Sequence, residues 1–129
     1  MDNVAPADTA NIGAIVLDAT QPGGDILFSG NPSSFGSVLT LDADDTVVVA
    51  SSLDVATAAT VNGELTLTGG EFRVSGGDAT INGLLTIQGG PGLNEFAELT
   101  ANNISINGPE LQVSGGGAVS YTHLTLPTN

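Results

Sequence analysis

Three aspartates, Asp42, Asp44 and Asp45, form the densest group of potential metal ligands in the sequence. They directly follow the strand-like run 38–41, so their carboxylates are expected in a turn. Carboxylates at this spacing can supply oxygen ligands to Ca²⁺, which takes roughly six to eight of them. An EF-hand loop would also need a glycine at its sixth position and a glutamate at its twelfth, and the sequence has neither. The three residues are therefore a candidate Ca²⁺ site, with a solvated turn at the end of a strand as the alternative.

A second segment, Gly89–Ala97, fits the calcium-binding nonapeptide pattern, with Asn94 where aspartate is usual. That pattern works in tandem, because the ligands of one turn share an ion with the next turn. A single copy favours the alternative, an insertion at a corner of the fold. No cofactor other than Ca²⁺ is expected.

Residues for catalysis are few. Arg73 is the only lysine or arginine in the chain, and it lies two positions from Glu71, where a solvent-exposed contact between the two side chains is expected. The remaining acids predicted to face outward are Glu64, Asp78 and Glu98. Without the C-terminal stretch described next, no Ser/His/Asp or Cys/His arrangement can be formed. The sequence predicts that the chain is not an enzyme.

The only histidine and the only tyrosine lie in Val119–Thr128. This stretch resembles the translation of a transposon-end sequencing adapter, which implies that residues 119–129 are adapter-derived and that the native reading frame is cut near Ala118, in an assembly of environmental DNA. A natural closing strand, in which Leu124 and Leu126 alternate, is the alternative. No catalytic role is predicted for His123 or Tyr121.

The charge of the chain restricts its partners. Fourteen acidic residues against one basic residue give a formal net charge of −13. Nucleic acid and anionic membrane surfaces are excluded as expected partners, because both require clustered Lys or Arg. No apolar run approaches the roughly twenty residues of a membrane span, so direct insertion into a membrane is also not expected. A chain with this charge suits a saline or divalent-rich exterior.

A repeat organises the middle of the chain. Val61–Gly70 is followed 20 residues later by Ile81–Gly90, with the same Asn-Gly, apolar-Thr-apolar and Gly-Gly elements, and a looser copy begins at Ile106. A fixed period built from short strands and glycine turns is typical of a β-solenoid. The sequence predicts an all-β parallel β-helix over residues 12–118 with coils of about 20–26 residues, preceded by a linker at 1–11. The predicted register aligns four apolar pairs: Leu39/Leu41, Leu65/Leu67, Leu85/Ile87 and Leu111/Val113.

The Asn-Gly pairs leave one rival topology open. Asn62-Gly63, Asn82-Gly83 and Asn107-Gly108 could be the tips of antiparallel hairpins, because Asn-Gly between apolar runs is a strong hairpin signal. The regular recurrence favours equivalent corners of successive coils, where stacked asparagine side chains can form a hydrogen-bonded ladder.

Outward threonines are a further candidate binding surface. Thr66, Thr68 and Thr86 could present a flat hydroxyl face to a glycan or another repetitive surface. The alternative is that threonine simply suits an exposed strand position.

Phrases such as Leu99–Gly108 and Gly76–Gly83 resemble the stalks of filamentous-haemagglutinin-type and autotransporter adhesins. The resemblance covers residues 12–117 and carries no fixed site residues. It implies a right-handed β-helix outside the bacterial cell or on its surface, which acts in attachment to host or environmental glycans or surfaces and packs against neighbouring coils of a longer protein. A carbohydrate-active β-helix enzyme and a calcium-dependent extracellular structural protein are the alternatives.

Overall fold

The computed structural model describes residues 14–89, 97–115 and 117–126. Over these ranges the secondary structure is entirely β, and no helix is present that could cross a membrane. The twelve strands are β1 (Ala14–Ala19), β2 (Ile26–Phe28), β3 (Ser33–Phe35), β4 (Val38–Val49), β5 (Leu53–Val55), β6 (Ala59–Leu67), β7 (Gly70–Val74), β8 (Asp78–Ile81), β9 (Leu85–Gln88), β10 (Ala97–Ile106), β11 (Leu111–Ser114) and β12 (Gly117–Thr125).

The strands form a parallel β-solenoid of about five turns, as the sequence predicts. The chain visits three faces in each turn. Face A contains β1, the first part of β4, the first part of β6, β8 and the second parts of β10 and β12. Face B contains β2, the second parts of β4 and β6, β9 and β11. Face C contains β3, β5, β7, the first part of β10 and the first part of β12.

Parallel pairing rules out the hairpin alternative for the described strands. β6 pairs with β8 and β9 in the next coil, and Asn62-Gly63 lies inside β6 at the corner between faces A and B. An antiparallel hairpin would instead pair the residues on either side of each Asn-Gly with one another. The handedness of the solenoid stays a prediction.

The core is a set of apolar columns that run along the solenoid. Alternate residues of each strand point inward, because side chains in a strand alternate between the two faces with a period of two. On face B, for example, one column contains Ile26, Val47, Leu65 and Leu85 in register. Single coils cannot cover these side chains, and stacking stabilises them by roughly 25 cal/mol per Å² of apolar area removed from water.

Three phenylalanines are among the largest side chains of this core. Phe28, Phe35 and Phe72 are all buried, and the rings of Phe28 and Phe35 meet edge to face with 6.2 Å between their centroids. The sequence places Phe35 in a loop that folds back over the core. Its burial confirms the contact, although β3 makes the segment a short strand of face C.

The predicted register is correct for three of the four apolar pairs and wrong for Leu39/Leu41 in the second coil. Leu65, Leu85 and Leu111 are in register, as are Leu67, Ile87 and Val113. Leu39 and Leu41, however, pair with Ala59 and Val61 on face A, whereas Val47 and Val49 precede Leu65 and Leu67 on face B. The prediction matched the identical Leu-Thr-Leu triplets, but β4 turns a corner and contributes to both faces. Register partners lie from 18 residues apart (Val47 and Leu65) to 27 apart (Phe72 and Leu99), against the predicted 20–26.

The last described strand, β12, contains most of the stretch that resembles an adapter translation. Its backbone pairs in parallel with β10, from Ala97↔Gly117 to Ser105↔Thr125. This pairing describes the backbone only, and the origin of residues 119–129 stays a prediction.

Candidate functional site

The three candidate calcium ligands lie at the corner between faces A and B of the second coil. Asp42 is half-buried, and its register partners are Asp18 in the coil before and Asn62 in the coil after. Asp44 and Asp45 are exposed where the β4–β6 register shifts. The local reason is that β4 turns here, and this irregular backbone leaves amide groups that need partners.

Two aspartates of this corner bind backbone amides of the neighbouring coil. The Gly23 amide donates to Asp44 Oδ2 at 2.8 Å, and the Thr46 amide donates to Asp25 Oδ1 at 3.0 Å. In the first bond the carboxylate belongs to the second coil and the amide to the first coil. In the second bond the carboxylate belongs to the first coil and the amide to the second coil. These carboxylates therefore have a structural role in fastening two adjacent corners, whether or not an ion binds there.

The described residues contain no group of three or more His, Cys, Asp or Glu side chains placed to hold a metal ion. Asp42, Asp44 and Asp45 are close in sequence but are not brought together into one such group. Most of the nonapeptide-like segment Gly89–Ala97, namely residues 90–96, lies outside the described ranges. Calcium binding thus stays a prediction for both segments.

Asp18 begins this acidic corner in the first coil. Its Oδ1 accepts hydrogen bonds from the Thr20 hydroxyl at 2.7 Å and from the Thr20 amide at 3.0 Å. Both bonds favour the ionised carboxylate, so the pKa of Asp18 lies below its ordinary value of 3.8. The hydroxyl bond is the larger cause and the amide bond is the smaller one.

We expect Thr20→Val to raise the pKa of Asp18 toward that ordinary value, because the stronger of the two donors is removed. A lowered folded-state pKa contributes stability that is present above the unfolded pKa and is lost as pH falls through the folded pKa. The variant should therefore lose this small acid-sensitive contribution. NMR titration of the Asp18 carboxyl carbon measures the shift, and Thr20→Ser, which keeps the hydroxyl, is the control. Identical titration curves for wild type and Thr20→Val would contradict the assignment.

An asparagine ladder follows the same corner through the next three coils. Asn82 Nδ2 donates to Asn62 Oδ1 at 2.7 Å, and Asn107 Nδ2 donates to Asn82 Oδ1 at 2.9 Å. The next residue in each coil is a glycine of a second column, and a Cβ on Gly83 or Gly108 would overlap the carbonyl of the glycine in the coil before. The predicted ladder is confirmed, and it shows why Asn-Gly recurs at this corner.

Asn82→Ala is expected to lower the free energy of unfolding by about 1–2 kcal/mol, because it removes two hydrogen bonds of the ladder at once. Urea denaturation measures the change. Asn102→Ala is the matched control, since Asn102 is also an exposed asparagine and its hydrogen bond is made by the backbone amide to Gly77 O. Equal losses in the two variants would show that the ladder adds nothing to stability.

The acids predicted to face outward do not converge on one point. Glu71 and Glu98 are register partners on face C, Asp78 begins β8, and Glu64 is exposed beyond the corner between faces A and B. Asp78 Oδ1 accepts a hydrogen bond from Asn103 Nδ2 at 2.8 Å. That the chain is not an enzyme stays a prediction.

Arg73 does not make the expected contact with Glu71. Glu71 Oε2 instead accepts a hydrogen bond from the Thr100 hydroxyl at 2.8 Å, and no ion pair of Arg73 is found within the described part of the chain. Arg73 is exposed, with Asp54 and Thr100 as its register partners. The prediction failed because residues two apart on a strand are farther from each other than residues in adjacent coils.

Of the three predicted hydroxyl residues, Thr66 and Thr86 stack on face B, and Thr68 is exposed at the end of that strand. Their column begins with Leu27 and Val48 and ends with Gln112, so it is mixed in character. Sequence reasoning missed a more uniform column on face A, which runs from Val16 through Thr40, Thr60, Thr80 and Ser105 to Thr125. The signal was a hydroxyl-apolar-Asx triplet that begins at each of Thr40, Thr60, Thr80 and Ser105.

The described residues thus contain a hydroxyl column on face A and an Asx column at the corner between faces A and B, and this corner is acidic in the first two coils. Comparison of the chain with protein-family models, with curated proteins and with solved structures gave no match.

Proposed function

We propose that the chain is a scaffold segment of a secreted or cell-surface bacterial repeat protein, of the kind that forms the stalk of an adhesin. The observation that carries this proposal is the unbroken parallel pairing of face A through five coils, from β1 to β10. A solenoid whose coils contact only their neighbours can be lengthened or shortened without rebuilding a site, as a spacer between a cell and its target requires.

The charge of the chain supports an attachment role with a limited set of targets. A net charge of −13 repels anionic membranes and acidic polysaccharides at moderate ionic strength. Neutral glycans and other uncharged surfaces are therefore the proposed partners. An extracellular or cell-surface location agrees with a chain that tolerates saline surroundings through its acidic surface.

Deletion of one whole coil tests the scaffold role. Removing residues 59–78 joins Ala58 to Ala79, so that Leu39 can pair with Ala79 in place of Ala59. Because the two coils share the Thr-apolar-Asn-Gly sequence at this corner, we expect the shortened chain to keep a strand-type circular dichroism spectrum and a cooperative melt. A deletion of residues 59–68, which breaks the register, is the control and should unfold. Unfolding of both deletions would contradict a modular scaffold.

Bead attachment tests the adhesive role separately. Beads coated with the purified chain are expected to adhere to surfaces of neutral polysaccharide more than to surfaces of acidic polysaccharide, because the chain carries few positive charges. Raising the salt concentration should reduce this difference. Attachment no greater than that of albumin-coated beads on every surface would refute the adhesive role.

A further inference from the structure

The Thr–Asn face, defined as Thr40, Thr60, Thr80 and Ser105 together with Asn62, Asn82 and Asn107, is a two-dimensional grid of polar side chains. Its hydroxyl column lies within strands of face A, and its amide column lies two residues further along the chain, at the edge of face A next to the corner with face B. Asn62 is within β6, whereas Asn82 and Asn107 directly follow β8 and β10, and one buried apolar residue separates the two columns. Parallel strands repeat at roughly 4.7–4.9 Å, and two residues along a strand span about 6.6 Å. The grid therefore repeats regularly along the solenoid and is two columns wide.

The side chains of this grid are held in place. The hydrogen bonds from Asn82 to Asn62 and from Asn107 to Asn82 fix the amide column. Threonine is stiff at χ1 because it is β-branched, and register pairing in parallel strands places the threonines at equivalent backbone positions. Little conformational entropy would therefore be lost when the face binds a rigid surface.

The polar groups of the grid are available to a partner. Over residues 14–89 and 97–115, the hydroxyls of Thr40, Thr60, Thr80 and Ser105 make no hydrogen bond to another protein atom, and each hydroxyl can both donate and accept. All four residues are half-buried, and the three threonines carry a methyl group beside the hydroxyl. The grid therefore combines hydrogen-bonding oxygens with apolar methyl groups.

The composition of the face points to an uncharged and regular partner. The chain carries fourteen acidic residues, yet the three rows that begin at Thr60, Thr80 and Ser105 carry no charge at either grid position. Aromatic rings, which offer a flat apolar surface to a sugar ring, are not part of the grid, because the three described phenylalanines are all in the core. A partner that repeats in two directions and needs only hydrogen bonds and methyl contacts fits this face better than a single glycan chain.

We propose that the Thr–Asn face binds ice. The prism faces of hexagonal ice carry a rectangular grid of oxygen atoms whose two repeats are close to the strand spacing and to the distance across two residues. Thr hydroxyls and Asn amides can then occupy or hydrogen-bond to lattice positions in every row, while the methyl groups exclude disordered water. Weak contacts in successive rows act together, because the rigid stack presents all of them at once. This activity goes beyond the scaffold role and does not depend on it.

The experiment compares matched substitutions on two faces of the full chain. Thr60→Tyr with Thr80→Tyr disrupts the grid, whereas Thr66→Tyr with Thr86→Tyr places the same residues at half-buried, outward strand positions of face B. A gentler pair, Thr60→Val with Thr80→Val, removes the hydroxyls and keeps the β-branched shape. Tyrosine and valine both suit strands, and circular dichroism melts confirm that each variant is folded.

The measurement is the fraction of fluorescently labelled protein that is retained in slowly growing ice, together with the shape of single ice crystals. Wild type and the face B variant are expected to enter the ice and to facet crystals, and the Tyr pair on face A should reduce retention by about tenfold or more, because a break in the grid separates its rows. The Val pair should show an intermediate loss. Exclusion of folded wild type from ice would overturn the proposal. Equal loss in both Tyr pairs would also overturn it, as would binding to a neutral insoluble polysaccharide without retention in ice.

Discussion

Gly83→Ala is expected to lower the free energy of unfolding by about 3 kcal/mol or more, because the added Cβ would overlap a backbone carbonyl. Gly83 follows the asparagine ladder, and its missing side chain lets the carbonyl of Gly63 approach from the coil before. Gly108 approaches Gly83 in the same way from the other side. Backbone atoms cannot move aside as a flexible side chain can, so the two coils would have to separate at this corner. Urea denaturation followed by circular dichroism measures the loss.

Gly69→Ala is the matched control for this prediction. Gly69 also lies at a corner, but a Cβ there would have the Ala50 carbonyl oxygen as its nearest neighbour at 3.3 Å, and its φ is not in the left-handed region. A small shift of Ala50 accommodates the methyl group, while the unfolded chain loses some freedom. We expect a change below about 1 kcal/mol in either direction. If Gly69→Ala cost as much as Gly83→Ala, close stacking of the glycine column would not be what stabilises this corner.

The glycine column also explains which parts of the fold can be predicted from the sequence. The recurrence of Asn-Gly with apolar-Thr-apolar is a direct consequence of equivalent positions in successive coils, because only glycine fits the close approach and only Asx side chains extend the ladder. For the third to fifth coils, whose face B strands are the second part of β6, β9 and β11, the repeat is strict and the predicted register on face B is correct. A periodic physical requirement leaves a periodic sequence.

The first two coils could not be aligned in this way, for an equally physical reason. Their corner uses Asp42 in place of asparagine, and Asp44 and Asp25 cross-link it through backbone amides of the neighbouring coil. These contacts follow from where the chain turns within β4; the sequence predicts a turn after residues 38–41, but it does not show that the strand continues around this corner onto face B. The short strand β3 was missed similarly, because Gly30, Pro32 and Gly36 suggest a loop and only the pairing of β3 with β5 makes it a strand.

Sequence reasoning missed the Thr–Asn face because it considered the outward residues of face B instead of those of face A. The triplet that attracted attention, Leu65-Thr66-Leu67, belongs to face B, where its outward column is mixed. The triplets beginning at Thr60 and Thr80 lie a few residues earlier and face a different direction. Assigning an outward residue to a particular face requires the corner positions, which only the structure supplies.

Phe72→Ala is expected to lower the free energy of unfolding by about 3–5 kcal/mol, because it removes a large, fully buried side chain from a packed column. Phe72 is fully buried on face C, between its register partners Leu53 and Leu99. These neighbours belong to rigidly paired strands, so they cannot collapse into the space that the ring leaves. Phe72→Leu keeps part of the volume and should cost less than Phe72→Ala. Thermal and urea unfolding measure both losses.

Arg73→Ala tests whether this loss comes from the core. Arg73 is adjacent to Phe72 in β7 but exposed, and within the described ranges it makes no ion pair, so its removal should change stability by less than about 0.5 kcal/mol.

Because the coils contact only their neighbours, hydrogen exchange in Phe72→Ala should quicken most in β5, β7 and the first part of β10 and least in β1. Uniform acceleration over all described strands would instead indicate that the solenoid unfolds as one unit, and the independence of coils on which the scaffold role depends would be wrong.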